Sequence, residues 1–317
     1  MTTEGLTLAA MLPAAPGSTL ADAVGAAARG GADAVIVQLG GAGDRSAQLP
    51  FELADFETGA DPVVPLVSGD DLATIAAACR EHALALVVSV SDDEGLRVAL
   101  DAQPMALHVP PAALGDLVFI ATAATGRAVW LDTAMANVDE VAEAVAAVQK
   151  AGGQPSLLHG LVTVAGPPEE QNLNALATLR DRFDVPVGWA ARDVAPALAV
   201  AAVALGACVL VVPFGASGEG FDAAALGQLK ADAGLVARAL GDGAKRVQPS
   251  EWPARDRLHR SLVARVPIAR GEALTADMLA TARPGLGLKP RLIDAILGRR
   301  AALDVPAGTV LTLGMLQ

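Results

Sequence analysis

Between Val187 and Gly215 the chain reads VGWAARDVAPALAVAAVALGACVLVVPFG. No charged residue falls between Ala195 and Ser217, so the region is long enough to be weighed as a bilayer span. Pro196, Gly206 and Pro213 interrupt it, however, and its commonest residue, alanine, is a weak hydrophobe. A strand (VPVGWA, Val185 to Ala190), a buried helix and a second strand (CVLVVPF, Cys208 to Phe214) account for it better. Both strands are apolar throughout, as strands covered on two faces must be.

Reading outward from this unit, the same alternation runs back to the N-terminus. Six further apolar runs read as strands: LTLAAML (Leu6 to Leu12), ADAVIVQL (Ala32 to Leu39), LALVVSVS (Leu84 to Ser91), ALHVP (Ala106 to Pro110), AVWLDT (Ala128 to Thr133) and SLLHGLV (Ser156 to Val162). Amphipathic stretches separate or follow them, at Leu20 to Arg29, Leu72 to His82, Val138 to Ala151, Asn172 to Phe183 and Leu226 to Leu240. Eight βα units predict an α/β fold of the (β/α)8 TIM-barrel type. A doubly wound sheet would need fewer strands or a glycine-rich turn after the first, and no GxGxxG follows Leu12.

With 317 residues, 53% of them hydrophobic, the chain has material for one large domain and a small one. A net charge of -12 argues against nucleic acid or an anionic membrane as partner. The start, MTTEGLTLAAMLPAAPG, has no basic segment before its apolar run, so it reads as a first strand and the cytoplasm is the expected compartment. Cys79 and Cys208 stand in apolar surroundings without metal-ligand spacing, which predicts reduced core thiols.

A polar segment, GDGAKRVQPSEWPARDRLHR, ends the barrel pattern. The expected organisation is a barrel over residues 1–241, a linker over 242–260 and a small module over 261–317. The module repeats itself: PIARGEALTADML (Pro267 to Leu279) aligns without a gap on DVPAGTVLTLGML (Asp304 to Leu316), matching Gly271 with Gly308, Leu274 with Leu311 and Thr275 with Thr312. Such a repeat predicts a small pseudo-symmetric domain in which each half supplies a turn glycine and an apolar anchor.

These residues resemble the sialic acid synthases, which condense phosphoenolpyruvate with N-acetylmannosamine or a related aldose. The C-terminal module is similar to their antifreeze-like (SAF) domain. The barrel resembles theirs in GGADAVIVQ, LDTAMA, SLLHG followed by PPEEQNLNAL, and VPVG followed by AAVALGACVL. The resemblance implies a divalent metal, usually manganese, held by two histidines after the seventh strand and in the eighth. Arg192 and Pro213 stand at those places. An arginine cannot become a ligand and a proline side chain has no donor atom. A guanidinium about 4 Å from a dication also costs roughly 8 kcal/mol at an effective dielectric near 20.

The other positions that the resemblance marks as chemical differ too. Ala10, Ala14 and Ala15 replace a Glu and an Asn-His pair of the first strand. Ile36 replaces a lysine beside a retained Gln38, and His108 with two prolines replaces a phosphate site. Asp132 stands for a serine ahead of a retained Thr133, while Val211 and Val212 replace a Glu and a Lys. The implied protein has lost metal-dependent condensation and needs no cofactor. Mn2+ or Mg2+ enters only in the alternative of an active synthase with rerouted ligands, for which Asp132, His159 and Glu219 are candidates. A further alternative is a sugar-binding or scaffold protein, with a sugar or sugar acid as ligand.

Among the remaining polar residues, His159 stands at the mouth end of a strand and is a candidate general acid or base. Asp132 joins it as a catalytic candidate, and Gln38, Thr133, Arg192, Asp193 and Arg283 as substrate-binding ones. Arg192 and Asp193 either build a new polar site with Asp132 and His159, or pair with each other to fill the space of the metal. His108 has no carboxylate near it in sequence, and Trp189, beside Arg192, would plug or stack in a pocket. His82 and His259 read as solvent-facing. Arg283, in ARPGLG, matches the arginine that the family's SAF domain extends over a partner's barrel. The expected assembly is therefore a domain-swapped homodimer or a heteromer with an active synthase.

Overall fold

The computed structural model describes residues 5–12, 17–39, 67–163, 166–215 and 220–317. Ala14, Ala15 and Glu219 lie outside the described residues. The chain divides into two compact units, Met1–Asp242 and Gly243–Gln317.

The first unit is a closed barrel of eight parallel strands in sequential order. The strands are β1 (Thr7–Met11), β2 (Ala34–Gln38), β3 (Ala85–Ser89), β4 (Ala106–Val109), β5 (Ala128–Asp132), β6 (Gln154–His159), β7 (Val187–Ala190) and β8 (Val209–Pro213). β8 closes on β1 over five residue pairs, from Thr7 opposite Val209 to Met11 opposite Pro213. All eight expected strands are present, most of them shorter by a residue or two at either end because the barrel pairs only their central residues.

The helices are α1 (Gly17–Arg29), α2 (Gly69–Glu81), α3 (Asp93–Asp101), α4 (Leu117–Ala124), α5 (Val138–Lys150), α6 (Ala175–Phe183), α7 (Pro196–Ala204) and α8 (Ala223–Ala239). The apolar periodicity missed α3 and α4, whose signals are instead their caps: Asp92 accepts from the Gly95 amide and Asp116 from the Phe119 amide. The uncharged stretch after Ala195 forms α7, which Pro196 opens, and then β8. Among the described residues no helix is long and apolar enough to cross a membrane.

Strand alternation divides the apolar side chains between two cores. One lies between strands and helices and includes Leu8, Val35, Val88, Leu107, Leu131, Leu157, Trp189 and Leu210. The other fills the barrel with Ala9, Ala34, Ile36, Val87, Ala106, Trp130, Leu158, Ala190, Val209 and Val211. The interior is thus built from small residues around one indole, a large-among-small arrangement that fills a narrow lumen. Trp189 belongs to the outer core and does not plug the mouth; Trp130 is the tryptophan inside.

The second unit holds an antiparallel pair, β9 (Ser261–Ala264) with β10 (Leu279–Ala282), and two helices, α9 (Trp252–Leu258) and α10 (Ile293–Ile296). The segment read as a linker therefore contains a helix, started by Pro253 near its N-terminus, with Arg255 lying 5.5 Å over the Trp252 ring. The internal repeat is a true structural pseudo-dyad. Ile268 and Val305, equivalent in the two halves, exchange both backbone hydrogen bonds, at 2.9 and 2.8 Å. The Gly271 amide donates to the Ala301 carbonyl and the equivalent Gly308 amide to the Ala264 carbonyl, both at 2.7 Å. Both glycines have left-handed φ values, 85° and 82°, which explains why the repeat carries glycine there.

Gly188 on β7 tests how closely the lumen is filled. A Cβ there would lie 2.6 Å from the Val209 carbonyl oxygen and 2.8 Å from Leu158 Cδ2. Gly188→Ala is expected to lower stability by roughly 1–3 kcal/mol, the usual range for overpacking, measured by urea unfolding.

Candidate functional site

The C-terminal ends of the strands bring four polar side chains together inside the barrel. Asp132, the last residue of β5, is completely buried. Arg192 follows β7 by two residues, so alternation returns its side chain to the lumen above Ala190. Its Nη2 donates to Asp132 Oδ2 at 2.5 Å, and its Nη1 lies 3.8 Å from Met11 Sδ. Met11 ends β1, and β1 and β5 are four places apart in an eight-stranded ring, hence diametrically opposed. A guanidinium that touches both sits on the barrel axis.

His108 of β4 completes the cluster. Its Nδ1 is 2.8 Å from the Ser89 hydroxyl at the end of β3, and its Nε2 is 3.8 Å from Asp132 Oδ2. That Nε2 is buried without a hydrogen-bond partner. Ser89, His108 and Asp132 are each at least 97% buried. The carboxylate that His108 lacks in sequence is thus supplied by the next strand in space. Burial raises the Asp132 pKa, but the neighbouring His108 and the Arg192 charge outweigh it and hold the group below the usual carboxylate range. The other Asp132 oxygen accepts from the Ala134 amide at 3.2 Å.

The remaining sequence candidates fall elsewhere. Arg192 makes its ion pair with Asp132 and not with the adjacent Asp193, which is half-buried. His159 and Thr133 each follow a lumen-facing residue, Leu158 and Asp132, and so point away from the axis. Thr133 Oγ1 donates to the Leu158 carbonyl at 3.0 Å and His159 Nε2 to the Gln171 carbonyl at 2.9 Å. Both line a groove between the β5–α5 and β6–α6 connections, so His159 does not share a site with Asp132 and Arg192. Gln38 ends β2 on the lumen side, two residues beyond Ile36. His82 and His259 are exposed. Cys79 is buried and free, its thiol pushed up to about 11 by burial, and Cys208 is half-buried and free, also raised by burial. Arg283 is exposed in the second unit, beside a turn held by the Gly285 amide donating to the Asp256 carbonyl at 2.7 Å.

Period-2 counting from Asp132 would have found Trp130, and counting from Arg192 would have excluded Trp189. His108 stands out in the sequence, but its pairing with Ser89 and Asp132 does not, because both reach it only from neighbouring strands.

The lumen does not suit a divalent metal. Among the described residues its one charged acceptor, Asp132, is already bound to a cation, the residue at the second position that the resemblance implies is Pro213, and a guanidinium occupies the axis. Among the described residues no group of three or more His, Cys, Asp or Glu side chains could hold a metal ion.

Removing the anion tests the pair. Asp132→Asn leaves a mostly buried guanidinium without its counter-charge and is expected to cost stability at neutral pH, at the lower end of the roughly 3–5 kcal/mol typical of broken buried pairs. Because the folded-state pKa of Asp132 lies below its unfolded value, its contribution is complete above the unfolded value and is lost as pH falls through the folded one. Unfolding curves of the two proteins should therefore converge in acid.

The comparisons agree with this architecture. Residues 65–220 match the NeuB family and residues 259–317 match the SAF domain. The chain is 32% identical over 186 residues to the N,N'-diacetyllegionaminic acid synthase of Campylobacter jejuni, covering 55% of this chain and 56% of that protein. It is 32% identical over 197 residues to the human (Homo sapiens) N-acetylneuraminate-9-phosphate synthase, covering 58% and 54%. The matched stretch thus spans little more than half the length of either relative. In structure, a spore coat polysaccharide biosynthesis protein E from Chromobacterium violaceum superposes with a TM-score of 0.79 over 98% of this chain and 99% of its own, at 18% identity, which shows a shared fold. The barrel thus carries the NeuB family match and the C-terminal unit the SAF domain match, in the same order as the synthases of sialic and legionaminic acids to which the chain is similar.

Proposed function

We propose that this protein is a non-catalytic member of the NeuB family, retained in the biosynthesis of nonulosonic acids or surface glycans after losing metal-dependent condensation. One observation carries the reading: the Arg192 guanidinium lies on the barrel axis, bound to Asp132 at 2.5 Å. A dication placed there would meet a fixed positive charge in place of donors. A phosphate would have to draw that arginine away from a buried carboxylate, which would then stand without its main counter-charge. The lumen below is closed by Trp130, Ile36, Leu158 and Val211, none of which can handle a proton or polarise a carbonyl.

Calorimetric titration with manganese and then phosphoenolpyruvate is the direct test. The expected result is no saturable heat from either addition. Saturable, metal-dependent binding of phosphoenolpyruvate would overturn the reading and point to an active synthase with rerouted ligands.

The same reading gives the SAF domain a role. Arg283 is exposed within the ARPGLG turn that resembles the family's aldose-contacting segment. The proposed role is that of a partner subunit, lending this domain to an active synthase in a mixed oligomer or to a second copy in a homodimer. Co-expression with an active synthase should yield a mixed species by native mass spectrometry, with a rate reduced at least severalfold by Arg283→Ala. Absence of any mixed species, or a rate indifferent to Arg283, would remove the heteromeric role.

A further inference from the structure

The groove that receives His159 and Thr133 lies outside the lumen and has a composition of its own. Its volume is about 400 Å³. Its floor is apolar, with Val141 and Leu179 both buried. Its polar wall is formed by Asn137, His159, Glu170, Asn172, Asn174 and Thr178. Among the described residues no lysine or arginine lines it.

Most of this polar capacity is uncommitted. Among the described residues, the side chains of Glu170, Asn172, Asn174 and Thr178 have no hydrogen-bond partner. Asn137 spends only its carbonyl oxygen, which caps α5 by accepting from the Asp139 and Glu140 amides, and leaves its two N–H donors. His159 Nε2 faces a carbonyl, which can only accept, so that nitrogen carries the proton and Nδ1 is left as an acceptor. The N-terminal amides of α6, by contrast, are used: those of Ala175, Leu176 and Ala177 donate to the Asn172, Leu173 and Asn174 carbonyls. The groove therefore offers no helix-terminus anion site, and Glu170 repels anions.

Met135, at the rim, is 74% exposed, and its left-handed φ of 63° is that of the third residue of a turn closed by the Ala136 amide donating to the Thr133 carbonyl at 3.2 Å, so it is presented to the groove by an ordinary turn.

From these observations we infer a second, extraluminal site that binds a neutral polyhydroxylated ligand, a monosaccharide or N-acetylhexosamine. Carboxamides, one carboxylate and an imidazole acceptor pair with hydroxyl groups that both donate and accept. The apolar floor receives the C–H face of a ring, and Glu170, with no lysine or arginine beside it among the described residues, favours a neutral sugar over a sugar acid or sugar phosphate. This site is independent of the lumen and stands whether or not condensation has been lost.

Saturation-transfer NMR on the full chain tests it, with N-acetyl-D-glucosamine and D-mannose as neutral probes and N-acetylneuraminic acid as the anionic one. The expected result is transfer to at least one neutral probe and none to the acid. The transfer should fall at least threefold in Asn174→Ala and in Thr178→Val, both exposed positions, and remain unchanged in Leu235→Ala, an exposed position on α8 away from the groove. No transfer to either neutral probe, transfer that survives both groove substitutions, or transfer that falls equally in Leu235→Ala would overturn the inference.

Discussion

A carboxylate buried at the end of β5 governs the mouth of this barrel. Asp132 is completely removed from water, so its charge has to be answered from within the protein. Arg192 answers it from two strands away, and in doing so brings its guanidinium to the axis, against Met11 on the far side. His108, held by Ser89, closes the cluster from β4. The requirement that one buried charge be matched thus decides what occupies the place where a metal-using barrel would keep its metal.

Two levels of the molecule agree on this outcome. The lumen walls are alanine, valine and isoleucine around Trp130, a packing that needs no ligand to be complete. The polar residues His159 and Thr133 are turned by strand alternation to the outer side, into a groove with an apolar floor and a polar wall that holds Glu170 and, among the described residues, no lysine or arginine. The C-terminal unit, in contrast, keeps a regular construction, its two halves exchanging equivalent hydrogen bonds about Ile268 and Val305.

Much of the fold was legible because it rests on local periodicity. Each strand is a short apolar run and the long helices carry their own amphipathic spacing. The repeat in the last module could be aligned by eye before its pseudo-dyad was seen. The helices that escaped notice, α3 and α4, are short, and their signals are single capping aspartates. The candidate site was legible only in part. Asp132 and Arg192 were both singled out, and a polar site shared between them was one of two readings, but that reading put His159 with them and placed Trp189 at the pocket, where the structure has Trp130 inside the barrel. Both errors come from reading adjacency along the chain where a strand reverses the side chain at every residue.

By itself the sequence determined the eight βα units, the separate SAF module with its internal repeat, and the absence of histidine at the two aligned ligand positions. These follow from residue type and spacing, which are properties of the chain alone. Only the tertiary structure decided that Arg192 binds Asp132 across the axis, that His108 finds a carboxylate on the neighbouring strand, and that His159 faces a different cavity. Barrel closure brings β1 and β5 face to face and sets the register of β4 against β5. Distances between residues 60 or 181 positions apart are consequences of that closure, and no local pattern encodes them.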